Sequence, residues 1–298
     1  MKLDGIAAFV AVAEAGSISE AARRLHVSKS VVSERLTELE RTLGTSLIHR
    51  TTRKLSITED GLAFRARADR IVREIADAAA EISERRGSLA GPLRVAGPVS
   101  FGSLHLGPAL YPFLRENPGI DLTLDLDDRF IDAAADGYDA VIRHGPINDN
   151  RLVAKRLAPS RRVLVASPDY LERRGWPRSI ADLEDHQAIV YTNRGTVDWR
   201  FQGRGHAIIV RAASNLHINN GLVMRDAAIA GLGVALLPTF MVHTALAAET
   251  LYALDVGAEP ESAVVHIVYL KDRRVSAKLR ALTECLRRTF GDPPYWDR

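Results

Sequence analysis

The sequence predicts an α/β protein: a small helical module with a two-stranded wing, then one long helix, then a larger region where strands alternate with helices. Three observations carry this reading. Residues 17 to 61 hold two short amphipathic helices joined by a tight turn and followed by a basic hairpin. From Thr58 to Ser88 a proline-free stretch keeps one heptad seam. Beyond Gly91-Pro92, β-branched runs alternate with helical patterns. A chain of 298 residues suits two domains or so, with ample length for a large core.

The first helix shows as the stripe Ile6, Phe9, Val10 and Ala13, ended by Gly16. Ser17 and Glu20 form an S-x-x-E pattern, which predicts a reciprocal capping box at the start of the second helix. Ile18, Ala21, Ala22 and Leu25 are its apolar face, and the pattern breaks at His26-Val27. Ser28 offers the next N-cap, and Val32, Leu36, Leu39 and Leu43 repeat on one face as far as Gly44. Two helices in this arrangement are a helix-turn-helix, whose second helix enters the major groove of double-stranded DNA. Leu47 and Ile48 then lead into His49-Arg50-Thr51-Thr52-Arg53-Lys54, and Leu55-Ser56-Ile57 alternate. That is a short hairpin with a tip of cations and hydroxyls, suited to holding phosphates beside a duplex.

Charge agrees with this placement. Residues 1 to 57 carry nine Lys/Arg against six Asp/Glu, so the whole excess of +3 lies there and the remaining chain is balanced. No apolar run reaches the length of a membrane span and no signal-peptide pattern opens the chain, so a cytoplasmic protein with no membrane partner is expected. One cysteine, Cys285, excludes an intramolecular disulfide and a Cys-based zinc site. It lies within the apolar pattern Ala277, Leu279, Leu282, Leu286, which favours a buried structural thiol over a redox sensor.

Along the long helix Phe64, Ala68, Ile71, Ile75, Ala78 and Ile82 recur at alternating spacings of four and three. The favoured reading is a dimerising linker, since a dimer places two recognition helices on two half-sites; the alternative is a helix packed on its own domain. The domain boundaries that follow are 1–58, 59–89 and 90–298.

In the third region Leu93 to Ala96 reads as a strand, and the loop Gly97 to Gly102 precedes a helix to Asn117. Ile120 to Leu126 alternates as a strand, Phe130 to Asp136 as a short helix, and Tyr138 to Arg143 as a strand again. Further strands are expected at Leu152–Ala154, Val163–Ala166, Ala207–Arg211, Val234–Pro238 and Val264–Leu270, with helices from Asn220 to Ala230 and Ser276 to Phe290. This alternation predicts βαβ units and a mostly parallel sheet. The tail Asp292 to Arg298 is expected to be irregular and exposed.

With these residues in hand, the chain resembles the LysR-type transcriptional regulators. The run Phe9…Ala15-Gly16-Ser17-Ile18-Ser19…Ala21-Ala22-Arg23-Arg24-Leu25…Val32-Ser33…Leu36…Leu39-Glu40…Arg50-Thr51-Thr52-Arg53 is similar to their N-terminal module. Leu93-Arg94-Val95, Pro98-Val99-Ser100-Phe101-Gly102, Tyr138 to Arg143, Leu157 to Arg162, Ser167-Pro168-Asp169-Tyr170-Leu171 and Ala230 to Pro238 are similar to their effector domain, in order to about residue 290. The resemblance implies a winged helix-turn-helix, a linker helix and a two-lobed α/β effector domain like periplasmic solute-binding proteins. It also implies a homo-oligomer, with dimers pairing into tetramers, a small-molecule effector in an inter-lobe cleft, and RNA polymerase as a candidate further partner.

The resemblance assigns DNA contacts to Ser28, Lys29, Ser30, Ser33, Glu34 and Arg35 on the second helix, and phosphate contacts to Arg50, Thr51, Thr52, Arg53 and Lys54 on the wing. Many family members have Pro where this chain has Lys29, and a basic or amide residue where it has Glu34. Lys29 reaches either a phosphate or a guanine edge; Glu34 accepts from a cytosine amino group or pairs with a neighbouring cation. For the effector it implies Ser100, Phe101, Arg143, His144, Asn219 and Asn220. Hydroxyl and amide donors with one Arg suit a small anion, commonly a carboxylate. For Arg143 the competing reading is an ion pair with Asp139 or Asp128, and for His144 a structural hydrogen bond. Trp199 and His217 line the cleft or serve packing.

Catalysis is not expected. Ser100 lacks a G-x-S-x-G elbow, no H-E-x-x-H, P-loop or dinucleotide fingerprint occurs, and the nine histidines have no metal-ligand spacing, so neither metal nor cofactor is expected. The alternative function is a small-molecule solute-binding module without a DNA role.

Overall fold

The computed structural model describes residues 1–298 apart from 51–54, 85–87, 130–136, 195–197, 203–206, 212 and 272–274, and apart from the side chains of residues 50, 77, 80, 81, 83, 84 and 194. Among the described residues the chain forms two compact units, Met1–Pro92 and Leu93–Arg298.

In the first unit α1 (Leu3–Ala15), α2 (Ile18–Arg24) and α3 (Lys29–Leu43) precede strands β1 (Ile48–Arg50) and β2 (Leu55–Ile57) and the helix α4 (Glu59–Glu84). Gly16 and Gly44 end α1 and α3 in the left-handed region, at φ 61° and 73°, where a side chain would be strained. Ser28 caps α3 by accepting from Val31 N–H at 3.4 Å. The capping box predicted at Ser17 does not form: the Ser17 side chain makes no cap bond. Glu20 turns instead to Arg23 at 2.7 Å and Arg24 at 3.3 Å, because two cations on its own helix attract a carboxylate more strongly than a neutral backbone N–H.

Phe9, Val12, Ala21, Val32, Leu36, Leu39 and Leu47 form the core of this unit. Glu40 fixes the wing to α3 by accepting from Leu47 N–H (2.9 Å) and Ile48 N–H (3.2 Å). Helix α4 then starts tightly against the wing. A Cβ at Gly61 would lie 2.2 Å from the Leu47 carbonyl oxygen and 2.6 Å from Ile57 Cγ2, so only glycine fits. The seam of α4 divides in two. Phe64, Ala68 and Ile71 pack on the helical core, with Phe64 5.6 Å from the Phe9 ring, whereas Ile75 and Ile82 are 45% and 60% exposed.

The second unit opens with β3 (Ala90–Gly97) and a continuous helical segment: α5 (Val99–Phe101), a π turn (Gly102–Leu106) and α6 (Gly107–Glu116). The loop expected at 97–102 is therefore already helical from Val99. The wide turn comes just before Pro108, which has no N–H to give to the preceding turn. Next come β4 (Gly119–Leu126), β5 (Ala140–His144), β6 (Leu152–Ser160), β7 (Arg162–Ala166), α7 (Pro168–Arg174), β8 (Ala188–Tyr191), β9 (Trp199–Gln202), β10 (Ala207–Val210) and β11 (Leu216–Ile218). The chain closes with α8 (Gly221–Ile229), β12 (Val234–Pro238), α9 (Thr239–Ala247), β13 (Tyr252–Leu254), β14 (Ala263–Leu270) and α10 (Ala277–Phe290). The helix predicted over Phe130–Asp136 lies outside the described residues.

These strands form two five-stranded sheets, β4-β3-β5-β14-β6 and β11-β8-β12-β7-β13, with β9 and β10 as a separate hairpin. Neither is mostly parallel. β3 with β5, β11 with β8 and β12 with β8 run parallel; β14 with β5 and β6, and β7 with β12 and β13, run antiparallel. The expectation fails because β6 leads straight into β7 in the other sheet, with no helix between, and β14 returns the same way. Each sheet is thus the floor of one lobe.

The tail is not exposed as expected. Trp296 is buried at 3%, with its ring against Phe101, Phe240, Phe290 and His105. His105 links the same cluster, its Nδ1 bonded to the Tyr295 hydroxyl and its Nε2 2.9 Å from the Phe240 carbonyl oxygen. Cys285 is half-buried rather than buried.

Candidate DNA-binding face and ligand cavity

On α3 the buried positions Val32, Leu36 and Leu39 leave an opposite stripe of Ser30, Glu34, Thr37 and Arg41, all exposed. Ser28 and Lys29 are exposed at the N-terminal end, where Ser28 Oγ and Ser30 Oγ share a hydrogen bond of 2.8 Å. Ser33 is half-buried and its carbonyl accepts from the Thr37 hydroxyl. Arg35 points away from the stripe, its guanidinium 2.9 Å from Asp4 of α1. Of the predicted wing contacts, Thr51, Thr52, Arg53 and Lys54 and the side chain of Arg50 lie outside the described residues. Thr37 and Arg41 were missed by the sequence reading, although continuing the i, i+4, i+7 series from Ser30 finds both.

In the second unit a cavity of about 370 Å³ opens between the two sheets. The first lobe contributes Gly97, Ser100 and Phe101 at and after the end of β3, Asp128 after β4, and Arg143 and His144 at the end of β5; the second lobe contributes Arg162, Tyr191 and Leu236 from its sheet, Trp199 from β9 and Met224 from α8. Both walls lie where strands end and the chain crosses between lobes, the usual place for a ligand in open α/β sheets.

Its polar groups divide by whether they have partners. Ser100 is 2% exposed and its Oγ has no hydrogen-bond partner among the described residues. Gly221, the first residue of α8, approaches it closely: a Cβ there would meet Ser100 Oγ at 3.3 Å and Met241 Sδ at 2.5 Å. His144 Nε2 is 2.6 Å from Ser160 Oγ, as the structural reading of this histidine expects. Arg143 is half-buried on the wall. Asp139 accepts from Arg94 N–H at 2.7 Å. Asn219 and Asn220 are not part of the wall. Asn220 caps α8 by accepting from Leu222 and Val223 N–H, and its amide donates to Asp128 Oδ2 at 3.1 Å. The Asn219 carbonyl accepts from Asn193 Nδ2, which also reaches the Asp128 carbonyl. Trp199 lines the cavity and His217 is exposed elsewhere.

Arg162 is the residue the sequence reading missed. It is 7% exposed, faces the cavity, and has no hydrogen bond or ion pair from its side chain among the described residues. A buried guanidinium without a counter-charge is costly, and most buried charges are paired. Only the neighbouring Arg161-Arg162 at the lobe crossing hinted at it. Two arginines in sequence at a strand start point to opposite sides, one outward and one inward.

The two units match two family models: "Bacterial regulatory helix-turn-helix protein, lysR family" over residues 3–62 and "LysR substrate binding domain" over residues 86–291. The chain belongs to the LysR family. It is a DNA-binding transcriptional regulator with a substrate-binding domain, which sets aside the alternative of a solute-binding module without a DNA role. Among its relatives is the HTH-type transcriptional regulator PtxR of Pseudomonas aeruginosa, 32% identical and covering 99% of this chain and 95% of that one. The HTH-type transcriptional regulator CrgA of Neisseria meningitidis serogroup C is 33% identical, covering 95% of each chain. The solved structure of CrgA from Neisseria meningitidis superposes on 96% of this chain and 99% of its own at a TM-score of 0.61 and 30% identity. These relatives are regulators by name, which points to a non-enzymatic role. No single helix among the described residues is long and apolar enough to cross a membrane.

Proposed function

We propose that this LysR-type regulator binds operator DNA as a dimer joined through α4, and that a small anion in the cavity between the two sheets sets how it binds. The single observation behind the anion is Arg162, a buried cation facing the cavity with no partner among the described residues. Ser100 Oγ, buried and without a partner among the described residues, supplies a neutral donor on the same cavity wall.

On the DNA side, Ser30, Glu34, Thr37 and Arg41 enter the groove, Lys29 takes a phosphate, and the wing residues Arg50, Thr51, Thr52, Arg53 and Lys54 hold the backbone on either side. Ser28, Ser33 and Arg35 then support the helix rather than read bases. The exposed Ile75 and Ile82 favour a partner on the second half of α4, since isoleucines at a heptad seam lose free energy when left in water. Residues 1–58, 59–89 and 90–298 thus act as reader, coupling helix and sensor. Pairing of dimers into tetramers and contact with RNA polymerase extend the same scheme.

A ligand shifts such a system only if it binds one arrangement of the lobes more tightly. The bonds from the Asn220 and Asn193 amides to Asp128 span the two lobes, so a ligand that bridges the same walls favours the closed arrangement. DNase footprinting of the full-length protein on the DNA flanking its own gene tests the reading. The expected result is protection over several helical turns with half-sites in phase, and no protection at low salt would overturn it.

A further inference from the structure

The charges on the cavity wall are unequal in a way that restricts what fits. Asp127 is taken up by Arg129 at 2.6 Å, and Asp198 by Arg211 at 3.2 Å. Arg162 is positive and has no partner among the described residues. Asp128 is negative and held by neutral donors, accepting from Val99 N–H at 2.9 Å and from the Asn220 amide at 3.1 Å. Neither donor cancels its charge. Burial first, and then that charge, push the Tyr191 phenol up and keep it protonated. Arg143 and His144 line the wall as well, His144 bonded to Ser160, and Trp199, Met224, Leu236, Phe240 and Met241 supply its apolar surface.

A ligand complementary to this wall has one anionic end, a body that replaces water against aromatic and thioether surfaces, and no second negative charge near Asp128. The guanidinium fork suits a carboxylate in the bidentate mode. Ser100 Oγ lies against Gly221, the first residue of α8, so the hydroxyl and that helix start share one side of the cavity, while Asn220 Oδ1 already takes the Leu222 and Val223 N–H groups.

We propose that the cavity takes a small monocarboxylate with an apolar body, its carboxylate on Arg162 with the Ser100 hydroxyl as a neutral donor, and that Asp128 turns away dicarboxylates. The proposal rests on the reading of this cavity as the effector site and narrows it to a ligand class.

Thermal-shift and calorimetric titrations of the full-length protein with benzoate, isovalerate, succinate and inorganic phosphate test it, repeated in R162M, R162K, S100A and D128N. Benzoate or isovalerate is expected to stabilise the wild type, with affinity about ten- to a hundredfold weaker in R162M, the range lost with a charge-assisted hydrogen bond. R162K is expected to bind more weakly than wild type because an ammonium cannot reproduce the fork. D128N is expected to admit succinate. Benzoate binding unaffected by R162M and S100A would overturn the anchoring. Succinate or phosphate binding in place of the monocarboxylates, lost in R162M, would overturn the ligand class and leave the anion cavity standing. Stabilisation by none of the four anions would overturn both.

Discussion

The side-chain amide of Asn220 donates to Asp128 Oδ2 at 3.1 Å, and this one bond ties the turn after β4 to the start of α8 across the cavity. Each partner is also committed to its own lobe: Asp128 caps the segment at Val99, and Asn220 caps α8. Loss of either side chain therefore frees backbone N–H groups as well as the clasp.

Asn220→Ala is expected to destabilise the second unit by about 0.5–2 kcal/mol, the usual cost of a lost N-cap, in urea denaturation. Asn220→Asp keeps the cap acceptor but sets a carboxylate against Asp128. It should hold helix stability yet show a larger radius of gyration in solution scattering, because the clasp then repels. An Asn220→Asp protein as compact as wild type would count against the clasp.

Burial lowers the pKa of His105 from 6.5 to about 4, outweighing the Phe240 carbonyl that raises it. Because the folded pKa lies below the unfolded one, the unfolded chain binds the extra proton between these values. Stability is thus complete above pH 6.5, falls as the pH drops toward 4, and levels off below. The loss is about 2–3 kcal/mol. Chemical denaturation from about pH 7.5 to about 4 in wild type and His105→Gln measures it. The variant is expected to lose that part of the slope, and parallel slopes in the two proteins would refute the assignment.

Gly61→Ala places a methyl group on the Leu47 carbonyl, an atom that cannot rotate away. The first unit is expected to lose about 1–3 kcal/mol or more, with operator binding falling while the second unit melts as before. Calorimetry of the full chain separates the two transitions.

Lys29 and Arg35 are close in sequence but differ in role. Lys29→Ala is expected to lower the salt dependence of DNA binding by about 0.9 in log–log slope per protomer site. Arg35→Ala leaves that slope unchanged, since Arg35 is already paired with Asp4 on α1. Filter binding at several salt concentrations distinguishes them.

Local chemistry made most of the first unit readable. Gly16 and Gly44 end their helices because positive φ is a property of the residue itself, and the stripe Val32, Leu36, Leu39 follows from helical geometry alone. Ser17-Glu20 misled because the pattern says nothing of Arg23 and Arg24 competing for the carboxylate. The cavity was legible only in part. Ser100 and Phe101 were found, though as loop residues rather than in α5, but Arg162 becomes a site residue only when β7 pairs between β12 and β13 and turns it to the cavity. Trp296 belongs to the core because its partners are Phe101, Phe240 and Phe290, which no periodicity in the tail connects to it. The strand directions failed for a similar reason: they depend on where the chain crosses between sheets, which no window of residues records.

The position of β14 sets an order on the protein's own synthesis. It is the last strand of the chain, yet it lies inside its sheet, between β5 and β6. A ribosome that has finished β6 has made both neighbours of a gap that stays open until residue 270 emerges, and Trp296 arrives later still. The helix-turn-helix is complete long before. A product that stops after Pro92 but before β14, by nonsense mutation or proteolysis, is thus a finished DNA reader attached to an unfinished sensor. Such fragments would compete for the operator without responding to the signal, so truncations that remove β14 are expected to be dominant over an intact copy.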